Sequence, residues 1–178
     1  RLSTGVRRLD SLERSRGAPG LRTGDLVELH GTAGSAAGAR RAVLQRAATT
    51  FALPRDCAGY ESTVLYFTMD CSFDVVSMRE AILRRVSSSR NGKFIEPQQH
   101  RSENDAIDAV VDSSLQRIVV LKCTDAMDVQ IALMYAESLL SSPGHSIKLL
   151  IFDNIASNFF EHRAAAIAMA SKHGVRNS

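Results

Sequence analysis

Apolar and polar positions along the chain sort into strand-like and helix-like stretches that follow one another from residue 26 nearly to the end. Leu26-Val27-Glu28-Leu29-His30 alternates and is closed by Gly31, which predicts a strand entering a tight turn. From Ala39 to Phe51, Val43, Leu44, Ala47, Ala48 and Phe51 recur at helical spacing and predict an amphipathic helix that ends before Pro54. Thr63-Val64-Leu65-Tyr66-Phe67-Thr68 is β-branched and aromatic, and predicts a second, buried strand. Asp74 is placed to cap a helix reaching about Arg85, with Val75, Met78 and Ile82 inward.

Residues 87–105 turn polar around a lone Phe94-Ile95 pair, which predicts a long exposed loop followed by a short helix over about Asp105 to Ser113. Ile118-Val119-Val120-Leu121 predicts a third strand, and Asp125 with Asp128 marks the start of a helix to about Leu140. A turn at Ser141-Ser142-Pro143-Gly144 leads into Ile147-Lys148-Leu149-Leu150-Ile151-Phe152-Asp153, a nearly continuous apolar run expected to be buried on both faces. An alanine-rich helix over Phe159 to His173, stopped at Gly174, closes the pattern. Strands alternating with helices imply an α/β fold, a mostly parallel sheet with helices on both faces. At 178 residues with 44% hydrophobic content, one domain spanning 1–178 is expected.

Composition removes several function classes. No stretch approaches the roughly 18 uncharged apolar residues of a membrane span. Cys57, Cys71 and Cys123 lie far apart in apolar surroundings, so buried free thiols are expected rather than a zinc site or disulfide framework. The five histidines are scattered and support no metal cluster. The net charge of +3 conceals an asymmetry, since residues 1–46 hold nine arginines against four acids. Such a front can face nucleic acid or an acidic partner, and a solvated surface is the commoner meaning.

Between the first predicted strand and helix lies Gly31-Thr32-Ala33-Gly34-Ser35-Ala36-Ala37-Gly38, where a phosphate-binding loop of the form GxxxxGK[ST] would sit. Gly31 fits the first glycine. Ala36 stands at the second glycine and restricts the backbone; Ala37 stands at the lysine and offers no ammonium; Gly38 stands at the hydroxyl residue and offers magnesium nothing. Arg40 and Arg41 follow and read as surface arginines. Asp153, ending an apolar strand downstream of this loop, has the context of a magnesium-binding carboxylate, although a helix cap or loop aspartate looks the same in isolation.

Leu2-Ser3-Thr4-Gly5, Leu9-Asp10 and Gly20-Leu21-Arg22-Thr23-Gly24-Asp25 precede that loop in the order of a RecA/RadA-type recombinase core, which the chain resembles. Leu65-Tyr66-Phe67-Thr68-Met69-Asp70-Cys71-Ser72-Phe73-Asp74 is similar to the second core strand and its exit, with Asp70 near the position of the water-activating glutamate. Gly24 to Gly31, Leu53-Pro54 and Leu149-Leu150-Ile151-Phe152-Asp153-Asn154-Ile155-Ala156-Ser157 are most similar to the recombinase paralogues of the X-ray-repair cross-complementing branch, second complementation group.

The resemblance implies a RecA-like P-loop NTPase core, here without the family's C-terminal part, and a nuclear protein of homologous recombination and double-strand break repair. It further implies a non-catalytic subunit of a heteromeric complex with the D-type recombinase paralogue, supporting a recombinase filament on single-stranded DNA. No resident cofactor is expected beyond weak magnesium-ATP, with Asp70 and Asp153 vestigial. A working DNA-dependent ATPase, in which Asp153 holds magnesium, Asp70 orients water and an arginine replaces the lysine, is the alternative.

Overall fold

A computed structural model describes the chain except residues 1, 12–20, 32–35, 91–99, 143, 145 and 158–178. The short helix α1 (Arg7–Asp10) and the helix α2 (Ala36–Ala52) precede a single 3-10 turn at Arg55–Cys57. Strand β1 (Thr63–Thr68) follows, then helices α3 (Val75–Arg90) and α4 (His100–Gln116), strand β2 (Ile118–Lys122), helix α5 (Ala126–Ser141) and strand β3 (Ile147–Asp153). The three strands form one parallel sheet in the order β2-β1-β3. The protein is therefore α/β, with helices on both faces.

Side-chain parity sorts the helices between those faces. Val64 and Tyr66 of β1, Ile118 of β2 and Ile151 of β3 pack under α2, α3 and α4, where Phe51, Met78, Ile82, Val86 and Val111 are buried. Leu65 and Phe67 turn to the opposite face, with Phe152 beside them, and meet Ala132 and Ala136 of α5. The Phe67 and Phe152 rings stack with centroids 4.4 Å apart. Val129 and Leu139 of α5 pack beside them, partly buried.

Helix α2 runs antiparallel to the strands. Near its C-terminal end the Phe51 carbonyl accepts the Ser62 N–H just before β1, while Gln45 nearer its start donates to Ser77 Oγ of α3 at 2.9 Å. The N-terminus of α2 is thus delivered to the carboxyl end of the sheet.

Caps follow the sequence closely. Asp74 Oδ1 accepts the Val76 N–H at 3.0 Å, and Asp125 Oδ1 accepts the Asp128 N–H at 2.8 Å while Asp128 Oδ2 accepts the Thr124 N–H and hydroxyl. Replacing Asp125 with alanine is expected to lower the unfolding free energy by about 1 kcal/mol, read as a shift of the urea midpoint.

Several expectations need correction. Residues 26–30 form no strand: the segment takes no place in the sheet, and Leu26 is 96% exposed although Val27 and Leu29 turn partly inward. Alternation is a local property, whereas a strand needs a neighbour's backbone groups. The loop expected over 87–105 is helical at both ends, since α3 continues to Arg90 and α4 starts at His100; residues 91–99 lie outside the described part. Ser88 Oγ bonds back to the Arg84 carbonyl at 2.7 Å, so its hydroxyl is satisfied within the helix rather than breaking it. Val75 is exposed, not inward.

Strand β3 is an edge strand with Lys148 and Leu150 exposed, and only the central β1 is buried on both faces. Cys57 and Cys123 are buried but Cys71 is exposed. The helix expected over Phe159 to His173 lies outside the described residues.

Candidate functional site

The carboxyl ends of parallel strands are where an α/β sheet gathers its polar side chains, because each strand there turns into a loop at the sheet's rim. In this chain the gathering is built from β1, β3 and the start of α2. Thr68 stands in register between Lys122 of β2 and Asp153 of β3. The exits are sharp: Cys71 after β1 has φ 57° and Asn154 after β3 has φ 59°. They bring Asp70 and Asn154 together, with the Asn154 amide donating to Asp70 Oδ2 at 3.0 Å and the Ser72 N–H donating to Oδ1 at 3.0 Å.

Asp153 is buried, at 3% exposure, and its Oδ2 accepts the Tyr66 hydroxyl at 2.8 Å. Burial pushes the Tyr66 phenol far above its ordinary range, and the hydrogen bond and negative charge of Asp153 push it further, so it remains a donor. At Asp70 partial burial works upward, but the hydrogen bonds from Ser72 and Asn154 prevail and hold the carboxyl below its usual value. The hydroxyls of Thr68 and Ser72 are buried at this end without a hydrogen-bond partner among the described residues. A small cleft of about 20 Å³ opens between α2, β1 and α3, lined by Arg41, Gln45, Tyr66, Ser72, Asp74 and Ser77 among others.

The loop expected over Gly31–Gly38 falls partly outside the described residues, at Thr32, Ala33, Gly34 and Ser35. Gly31 is exposed coil, and Ala36, Ala37 and Gly38 already belong to the first turn of α2. A side chain added at Gly38 would meet nothing within 4 Å, so packing does not require glycine there.

Ala37 offers no ammonium and Gly38 no hydroxyl, and Asp153 Oδ2 accepts the hydroxyl of the buried Tyr66. Among the described residues no group of three or more His, Cys, Asp or Glu is placed to hold a metal ion.

Asp70 and Asp153 are thus brought to one end of the sheet, as their positions in the sequence suggest. Three members of the cluster carried no sequence signal of this role. Tyr66 reads as an ordinary strand aromatic, Asn154 as a loop residue, and Arg41 as a surface arginine, although it is exposed and lines the cleft. Arg41 precedes Leu44 by three residues and Ala48 by seven, the spacing of one helical face, and that is the signal that could have found it.

Away from this end, Asp10 accepts hydrogen bonds from the Ser3 hydroxyl and from the Thr4 N–H and hydroxyl at 2.6–2.8 Å, folding the N-terminal segment onto α1. Burial opposes ionisation of Asp10, yet these bonds hold its carboxyl below the usual range. A depressed folded value contributes stability above the unfolded carboxylate pKa of about 4, and that contribution is lost as pH falls through the folded value. Asp10→Ala is therefore expected to cost about 1 kcal/mol at pH 7 and progressively less toward pH 3, measured by urea denaturation across that range.

Among the described residues no helix is long and apolar enough to cross a membrane. Compared with known proteins, the chain matches no family model and no curated protein sequence.

Proposed function

We propose that this chain is a non-catalytic recombinase-paralogue subunit with a degenerate RecA-like P-loop core, acting in the nucleus within a heteromeric complex that supports homologous recombination and DNA double-strand break repair. Its neighbour is the D-type recombinase paralogue, and its effect on the recombinase filament on single-stranded DNA is indirect, through that complex. The observation that carries the reading is helix α5. Its inward stripe meets the sheet, and on the opposite side Met127, Ile131 and Met134 form a second apolar stripe, with Met134 70% exposed. A helix that is apolar on two opposed sides is suited to burial on both. No lysine, arginine or histidine lies in α5.

The sheet supports the same reading at a coarser level. A parallel β2-β1-β3 arrangement with α2 entering at the carboxyl end is compatible with a RecA-like core. A framework retained after its phosphate and metal contacts are lost still offers surfaces to a neighbour.

The alternative, a DNA-dependent ATPase, draws on Arg41, whose guanidinium lines the cleft and could stand in for the missing ammonium. Calorimetry separates the two. Titrating magnesium-ATP into the chain is expected to give no saturable heat, whereas tight binding lost on Asp153→Ala would reverse the ranking. Restoring the loop with Ala36→Gly, Ala37→Lys and Gly38→Ser is expected to strengthen nucleotide binding at least about tenfold, in keeping with charge-assisted phosphate contacts.

A further inference from the structure

Among the described residues, methionine sulfur divides sharply between core and surface. Met69 and Met78 are 3% and 2% exposed; the first packs with Phe67 on the α5 face of the sheet, and the sulfur of the second accepts the Thr49 hydroxyl at 3.7 Å between α2 and α3. Met127 and Met134 are 61% and 70% exposed, and both belong to α5. Seven residues make two helical turns less about 20°, so the two stand on one face about 10 Å apart along the axis, with Ile131 between them.

A thioether is unbranched, polarizable and apolar, which suits it to an adaptable contact, and it is open to oxidation wherever a peroxide reaches it. The sulfur lone pair attacks one oxygen of hydrogen peroxide, the O–O bond breaks, and the second oxygen leaves as water with both protons. Sulfur is oxidised by two electrons and the peroxide is reduced by the same two. The product is a sulfoxide, which puts a strong hydrogen-bond acceptor where an apolar tip stood.

We propose that Met127 and Met134 are a peroxide-oxidation site that closes the outer stripe of α5 to its partner, reversibly and without disturbing the core. The switch rests on the reading of that stripe as the partner-facing side. In the free chain each sulfoxide is solvated, because the stripe faces water, and the fold loses nothing. Against an apolar partner surface the same oxygen gives up its water and gains no donor, which is the penalty of a buried acceptor left unpaired. Met69 and Met78 lie out of reach of the oxidant, so the sheet and the α2–α3 contact stay as they are while the surface changes.

Hydrogen peroxide tests this on the full chain in a Cys71→Ser background, which removes the exposed thiol. Peptide mass spectrometry is expected to find Met127 and Met134 oxidised at least about tenfold faster than Met69 and Met78. Sedimentation velocity over a concentration series with the proposed partner, the D-type paralogue, is expected to show association weakened at least about tenfold by that oxidation. Methionine sulfoxide reductases A and B with dithiothreitol should restore it, one enzyme acting on each sulfoxide epimer. In Met127→Leu/Met134→Leu, association is expected to be the same before and after peroxide, whatever its starting strength. Equal oxidation rates at the four methionines would overturn the proposal. So would undiminished association of the oxidised chain, a loss that the reductases do not reverse, or a loss that the leucine variant shares; each of these results leaves the partner reading standing. A parent chain that oxidises at the two positions yet never associates would remove the partner reading itself, and the switch with it.

Discussion

Asp153→Ala is expected to lower the unfolding free energy by about 2–3 kcal/mol in buffer that holds neither nucleotide nor magnesium. The carboxylate is buried and accepts the hydroxyl of Tyr66, itself only 2% exposed, so alanine leaves a phenol donor in the interior with nothing to bond. Tyr66→Phe alone is expected to be destabilising too, because it strips a buried carboxylate of its donor. The double variant Tyr66→Phe/Asp153→Ala should be less unstable than the sum of the two singles by about 1 kcal/mol or more, the coupling that a shared buried hydrogen bond produces. Urea unfolding of the four proteins measures it. A carboxylate kept only for magnesium would leave the unligated protein as stable as before.

The second large effect is expected at the outer stripe of α5. Ile131→Asp and Met134→Asp each place a charge in the middle of an apolar surface. In the proposed complex with the D-type paralogue, each should weaken association by about 30-fold or more, the scale of a 2 kcal/mol hot spot. Both side chains are exposed in the single chain, so the unfolding midpoint should move little, by about 0.5 kcal/mol or less. Calorimetric titration of the partner into each variant reads the loss. Association that tolerates both substitutions would move the interface elsewhere on the molecule.

The two effects arise from opposite sides of the same sheet. Tyr66 and Asp153 belong to the face under α2, α3 and α4, while the stripe lies beyond α5 on the other. Variants at the two places should therefore separate cleanly, one changing stability and the other changing association.

How far the sequence reveals this arrangement depends on whether a feature is local. Thr63–Thr68 and Ile147–Asp153 read as strands with the bounds they have, because uninterrupted apolar, β-branched and aromatic runs of that length have few other uses. Asp74 and Asp125 read as caps for the same reason: a cap is set by residues within one turn. Leu26–His30 misleads because its pattern resembles that of a strand, yet the backbone partners that would make it one are remote in sequence. The stretch 87–105 misleads in the other direction. Its serines and charges suggest a loop, but the helices there need only narrow buried stripes, supplied by Ile82 and Val86 on α3 and by Ile107, Val110 and Val111 on α4.

At the site, Asp153 is read from its place at the end of an apolar run, and Asp70 comes only from the resemblance to the recombinase core. The sequence does not show that Tyr66 engages Asp153, which follows from the parity and register of two strands more than 80 residues apart. Nor does it separate the two apolar sides of α5, because AMDVQIALMYAESLLS is apolar nearly all round and its amphipathic signal is weak. Only the position of the sheet distinguishes the side that Ala132 and Ala136 bury from the side that Met134 presents.

Sedimentation velocity of the chain mixed with the D-type paralogue, run with and without magnesium-ATP, tests the assembly reading most directly. A heteromeric species of the same size and abundance is expected in both conditions, since the proposed contacts lie on α5 and not in the Gly31–Gly38 loop. Failure to associate, or association that appears only when nucleotide is present, would contradict it.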